Sequence, residues 1–148
     1  MDKTTNKTDY ADDLWDISDI PKGTRLRDWF DEGVWVMIVR SNFSMNVYMG
    51  VPLHHPLAGF NYDDLTVECH GGLTYAAKGD GDYLPEGYYW YGYDYSHAGD
   101  ACFYRDGLDA FTGDKKWALR EIQDDAWNAV YDFKKQMRFA EKILRKAK

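Results

Sequence analysis

Two histidines and two aspartates stand beside glycines in two short runs of this chain. His70, Gly71 and Gly72 open HGGLTY, and Asp94, His97 and Asp100 lie within YGYDYSHAGD. Imidazole and carboxylate at this density suit Zn or Mn, with an open position where a bound water ionises near neutral pH. The same residues also suit a ligand that needs no metal. Glycine amides face an anion where no Cβ blocks approach, aspartates accept from amide or hydroxyl donors, and Trp90 or Tyr75 offers a flat wall for a ring. A further histidine, His55, sits in PLHHPLAGFNYDD, where two prolines and a glycine forbid regular pairing and leave an ordered loop over residues 52–64.

Nucleophilic catalysis fits less well. Cys69 and His70 are chain neighbours and point to opposite faces of an extended segment, as do Ser96 and His97; no G-x-S-x-G elbow is present. A purely structural reading also accounts for the third run: an Asp94–His97 contact and an Asp100 carboxylate accepting loop amides would brace the loop without a ligand.

The elements that must position these groups follow from periodicity. VWVMIVR reads as a buried strand, and FSMNVYMGV alternates Phe43, Met45, Val47, Met49 and Val51 against polar or small neighbours, which predicts a hairpin around Ser41 and Asn42. LTVECH at 65–70 alternates again, LTYAA continues the sheet, and YYWYGYDY forms the last strand, with Trp90, Gly92 and Asp94 on one face and Tyr89, Tyr91, Tyr93 and Tyr95 on the other. If the strands carrying His70 and Asp94 are antiparallel neighbours, those residues fall at opposite edges; if parallel, they converge. Before the sheet, Thr24 as N-cap, Leu26, Trp29 and Phe30 at helical spacing, and Gly33 as terminator predict a short helix within 14–33. After it, Leu119, Ile122, Ala126, Val130, Phe133, Met137, Ala140 and Leu144 form an apolar stripe, so a long helix is expected from about Lys115 to Lys146 with Asp114 as N-cap. At that length the helix breaks near Asn128 or its far end meets a second copy of the chain.

The whole is an α+β domain over residues 14–148, a mainly antiparallel sheet of four or five strands packed by the long C-terminal helix, with the short N-terminal helix at an edge and a flexible polar tail over 1–13. The longest apolar run, VWVMIV, is far below the roughly 20 residues of a membrane span, and the polar start lacks the apolar stretch of a secretory signal. A cytoplasmic protein with reduced thiols at Cys69 and Cys102 is expected. The net charge of −7 divides into 8 Lys/Arg against 20 Asp/Glu over residues 1–114, and 10 against 5 over 115–148. The basic end complements the helix dipole, and the acidic body would repel a phosphate backbone, which argues against nucleic acid as a partner.

VPLHHPLAGFNYDD at 51–64, HGGLTY at 70–75 and WYGYDYSHAGD at 90–100, followed by a long helix, together resemble a family of small uncharacterised proteins encoded by bacteriophages and prophages. The third motif of that family commonly reads GFDCAHAGD; Tyr93, Tyr95 and Ser96 stand here in place of the Phe, Cys and Ala. The resemblance implies a viral accessory protein made in a bacterial cytoplasm, a setting that favours binding or sequestering over metabolism. The expected function is therefore capture of a small nucleotide-like or anionic ligand, without a cofactor, by His55, His70, Gly71, Gly72, Tyr75, Trp90, Asp94, His97 and Asp100. The alternatives are a hydrolase with Zn or Mn on His70, Asp94, His97 and Asp100, and a host-protein interaction module in which the motifs only hold the fold.

Overall fold

The computed structural model describes residues 10–103 and 114–146, apart from the side chains of 143–146. Five strands form one antiparallel sheet: β1 (Arg25–Asp31), β2 (Val34–Arg40), β3 (Met45–Pro52), β4 (Tyr75–Lys78) and β5 (Tyr88–Tyr93), in spatial order β1-β2-β3-β5-β4. A single long helix, α1 (Leu119–Lys146), packs on one face. This is the expected α+β architecture. The β2–β3 hairpin turns at residues 41–44, as the alternation predicts.

The expected N-terminal helix is instead strand β1. Gly33 does carry the positive φ assigned to it, but with Glu32 at φ 50 and Gly33 at φ 87 the pair forms the two-residue loop of a β1–β2 hairpin, in which both positions need φ > 0. Thr24 caps no helix; its hydroxyl donates to the Pro21 carbonyl at 2.7 Å. Pairing with the strongly apolar β2 overrides the local helical spacing of Leu26, Trp29 and Phe30.

LTVECH also departs from expectation. Residues 65–70 alternate, with Val67 buried and Leu65 and Cys69 packed on the core, but they join no strand. Their amides go to the helix flank: Glu68 N–H donates to Asp132 Oδ2 at 2.8 Å and His70 N–H to Asp125 Oδ2 at 3.2 Å. An extended segment outside the sheet needs other partners for its N–H groups, and two aspartates seven residues apart on one helix supply them.

The helix starts at Leu119, later than Asp114, and runs unbroken past Asn128. Glu121 caps its start by accepting the Ala118 amide at 3.0 Å. Its 28 residues span about 42 Å. Leu119, Ile122, Ala126, Val130 and Phe133 of the stripe are buried, Met137 and Ala140 partly so, and the Leu144 side chain lies outside the described residues. Of the expected tail, residues 1–9 lie outside the described residues. Beyond them the chain is held: Arg27 donates to the Tyr10 carbonyl at 2.6 Å and the Arg120 amide to the Asp12 carbonyl at 2.9 Å.

The sheet's second face carries Met37, Val39, Tyr48 and Trp90 beneath Leu84. Among the described residues no helix is long and apolar enough to cross a membrane.

Candidate functional site

The chemistry gathers where three segments cross over the first turns of α1. Residues 69–72 make a turn closed by Gly72 N–H to Cys69 C=O at 3.0 Å, with Gly71 (φ 71) third, the position at which a type II turn needs φ > 0. After β5 the chain makes a second turn, in which Asp94 Oδ1 accepts the Ser96 amide at 3.2 Å and Asp100 Oδ2 accepts the His97 amide at 3.0 Å. Backbone bonds between Ala101 and Lys115 and between Lys115 and Gly99, both 2.8 Å, then bring in Trp117.

Asp100 is the hub. It is 6% exposed, and its carboxylate receives His70 Nε2 at 2.8 and 3.1 Å, Trp117 Nε1 at 2.8 Å, the His97 amide at 3.0 Å and His97 Nδ1 at 3.4 Å. Burial pushes this carboxyl up, but the bonds from His70, His97 and Trp117 and the His70 charge together hold it below its ordinary value. The His70 ring stacks flat on Tyr95 at 4.2 Å and 3° and meets Trp117 and His97 edge-on at 4.9 and 5.4 Å. Tyr95 in turn donates to Asp125 Oδ2 at 3.3 Å, the oxygen that also takes the His70 amide. One helix residue therefore fixes both the backbone of His70 and the ring beneath it.

His97 lies between two carboxylates, with Nδ1 facing Asp100 and Nε2 at 3.4 Å from Asp94 Oδ1. One ligand atom each from His70, His97 and Asp100 all fall within 4.8 Å of one another. A tetrahedral ion with bonds of about 2.0–2.1 Å needs ligand atoms about 3.3 Å apart; Asp100 Oδ2 stands 3.4 Å from His97 Nδ1 and 2.8 Å from His70 Nε2, so the His70 ring would draw back slightly to admit one. Asp100 is filled by protein donors, so an ion would enter by replacing imidazole protons, which suits a metal that binds His in its deprotonated form.

Four of the expected site residues do converge: His70, Asp94, His97 and Asp100. They meet because 65–70 leaves the sheet for the helix flank, an arrangement outside both strand geometries considered above. Gly71 adjoins the His97 ring, while the Gly72 amide is committed to Cys69 and does not face an anion. Trp90 and Tyr75 are not a wall of this site. They belong to the opposite sheet face, where Trp90 packs with Met37 and Tyr48 and Tyr75 meets Tyr48 edge-on. His55 lies elsewhere too. The Glu141 charge acts on its ring, and Glu141 lies sixteen residues along α1 from the Asp125 that binds His70, about 24 Å at 1.5 Å per residue. The aromatic wall is Tyr95 and Trp117, and Asp125 is the positioning carboxylate. Trp117, in the linker to the helix, and the seven-residue spacing of Asp125 and Asp132 were the available sequence signals.

Cys69 has no nucleophilic character, because burial beside Asp125 pushes its thiol up to about 12. Glu68 and Asp125, with Asn128, line a shallow groove of about 390 Å³ next to His70 and make the surroundings acidic.

The described residues form an antiparallel sheet under one helix, with a buried aspartate linking two histidines. Comparison with family models, curated proteins and solved structures returns no match, so a functional reading rests on the site itself.

Proposed function

We propose that His70, His97 and Asp100 bind a divalent transition metal, zinc or manganese, and that the protein is a phage-type accessory protein that uses this ion to hold a small anionic, nucleotide-like ligand in a bacterial cytoplasm. The observation that carries this reading is the convergence of two imidazoles and a buried carboxylate, within 4.8 Å, from segments thirty residues apart in the chain. The electrostatics agree. With Asp94, Asp100, Asp125 and Glu68 around it and Lys115 paired to Glu121, the site favours a cation and repels a bare anion. An anionic ligand is held through the ion, which supplies the charge that the glycine amides do not.

A bound ion of this kind also polarises water, so hydrolysis of the captured ligand is the reaction class the site would support. The bracing role is the second reading, favoured by the complete set of donors on Asp100.

Elemental analysis of protein supplemented with zinc and manganese and then desalted separates the two. About one equivalent of metal is expected in the wild type and in His55→Ala, and none in His97→Ala. A metal-free wild type after supplementation would leave the bracing role as the account of the cluster.

A further inference from the structure

We infer that the metal centre takes three protein ligands, His70, His97 and Asp100, and that Gly71 and Asp94 are positioning residues that aim His97 into it; the ligand count rests on the metal reading above. A neutral imidazole carries one proton, and each His97 nitrogen has a carboxylate 3.4 Å away. The two carboxylates are not equally loaded. Asp100 already accepts three shorter bonds, at 2.8–3.0 Å, from His70, Trp117 and the His97 amide. Asp94 accepts the Ser96 amide at 3.2 Å and stands 3.4 Å from His97 Nε2. His97 Nδ1 makes the hydrogen bond to Asp100, and an ion that takes Nδ1 leaves the imidazole proton on Nε2, facing Asp94. The two ring nitrogens point apart, so a carboxylate on Nε2 cannot share an ion bound at Nδ1. Asp94 is then the orienting carboxylate that metal-bound histidines usually have behind them.

Gly71 holds the same ring from another side. A Cβ built on Gly71 would stand 2.3 Å from Cε1 and 2.5 Å from Nε2 of His97, whereas a Cβ on Gly72 would meet nothing within 4 Å. Both glycines have nearly the same left-handed backbone, φ 71 and φ 78. An alanine at either position carries the same backbone strain, but only the one at 71 evicts the ring. Gly71 is thus the bare seat of the His97 side chain, a role distinct from the turn it also serves.

Zinc titration calorimetry on the wild type, Gly71→Ala, Gly72→Ala, Asp94→Ala and His97→Ala tests this, with NMR of the His97 ring in the metal-free proteins. His97→Ala is expected to abolish binding. Gly71→Ala and Asp94→Ala should each weaken it about 10–100-fold, the usual cost of losing an orienting partner, while Gly72→Ala binds as the wild type does. The His97 ring resonances should move in Gly71→Ala and Asp94→Ala and stay in Gly72→Ala. Loss of binding in Asp94→Ala as complete as in His97→Ala would make Asp94 a fourth ligand and overturn the count. Equal effects of the two alanines on the ring would reduce Gly71 to a turn residue. A wild type without zinc affinity defeats the metal reading and the ligand count with it, while the ring resonances of the metal-free variants still decide whether Gly71 seats His97.

Discussion

The loop over residues 52–64 and the cluster around Asp100 have the same ingredients, histidine, aspartate and glycine, but use them differently. In the loop, polar groups are satisfied nearby: His55 Nδ1 accepts the Leu57 amide at 3.0 Å, two residues on, and Asp64 Oδ2 accepts the Asn61 amide at 3.1 Å, three residues back. Leu57, Phe60 and Leu65 line a groove of about 350 Å³ with Phe139 and Ala140 of α1. In the cluster the bonds span 30 residues from His70 to Asp100, 17 from Trp117 and 55 from the His70 amide to Asp125. A polar side chain spent on its own turn shapes a loop, whereas groups that meet only after folding can form a site.

The strongest way to break that contrast is to remove the two centres in parallel. Asp100→Ala strands the half-buried Trp117 indole N–H and the His97 amide and leaves His70 without its partner, so a loss of about 3 kcal/mol is expected. His55→Ala, which removes one local bond, should cost under about 1 kcal/mol. Urea denaturation followed by circular dichroism measures both. Similar midpoints for the two variants would mean that the cluster is no more than a second loop brace.

That difference in reach also explains what could be read from the sequence. The β2–β3 hairpin, β5, the buried stripe of α1 and the four-residue group His70, Asp94, His97 and Asp100 were all legible, because period-two and helical spacing and the density of titratable groups are local properties. The first strand was misread because the pairing of Arg25–Asp31 with β2 is a tertiary preference, and Gly33 marks positive φ without saying whether a helix or a hairpin needs it. Residues 65–70 showed the right alternation and the wrong partner. Nothing within six residues says that Asp125 and Asp132 will replace a neighbouring strand. Trp90 and Tyr75 were assigned to the site by residue type alone; the register that puts Trp90 opposite Gly50 and Tyr75 opposite Gly92 sends both rings to the far face.

A smaller effect sharpens the comparison from the loop's side. A long-range polar link of the loop is Tyr91, fully buried, whose hydroxyl donates to the Leu57 carbonyl at 2.5 Å and accepts the Phe60 amide at 3.2 Å. Tyr91→Phe leaves both backbone groups without that partner and should cost about 1–2 kcal/mol. The damage should be local: faster hydrogen exchange at the Phe60 amide, with the His97 ring resonances unchanged. A shift of those resonances would show that loop and cluster are coupled, against the independence argued here.

The smallest effect lies in the titration of His55. Burial holds this imidazole below its ordinary value of about 6.5, the Glu141 charge opposes that shift and His54 adds to it. The unfolded chain then takes up a proton at a pH where the folded chain still refuses it. The stability contributed by neutral His55 is complete above about pH 6.5 and drains as the pH falls toward the lower folded value, below which the slope ends. His55→Gln cannot titrate, so the difference in unfolding free energy between wild type and variant should shrink as pH is lowered from 7.5 to 5. A difference that stays level would place His55 in water rather than against the loop, and one that widens toward acid would mean that Glu141 outweighs burial and pairs with the charged ring.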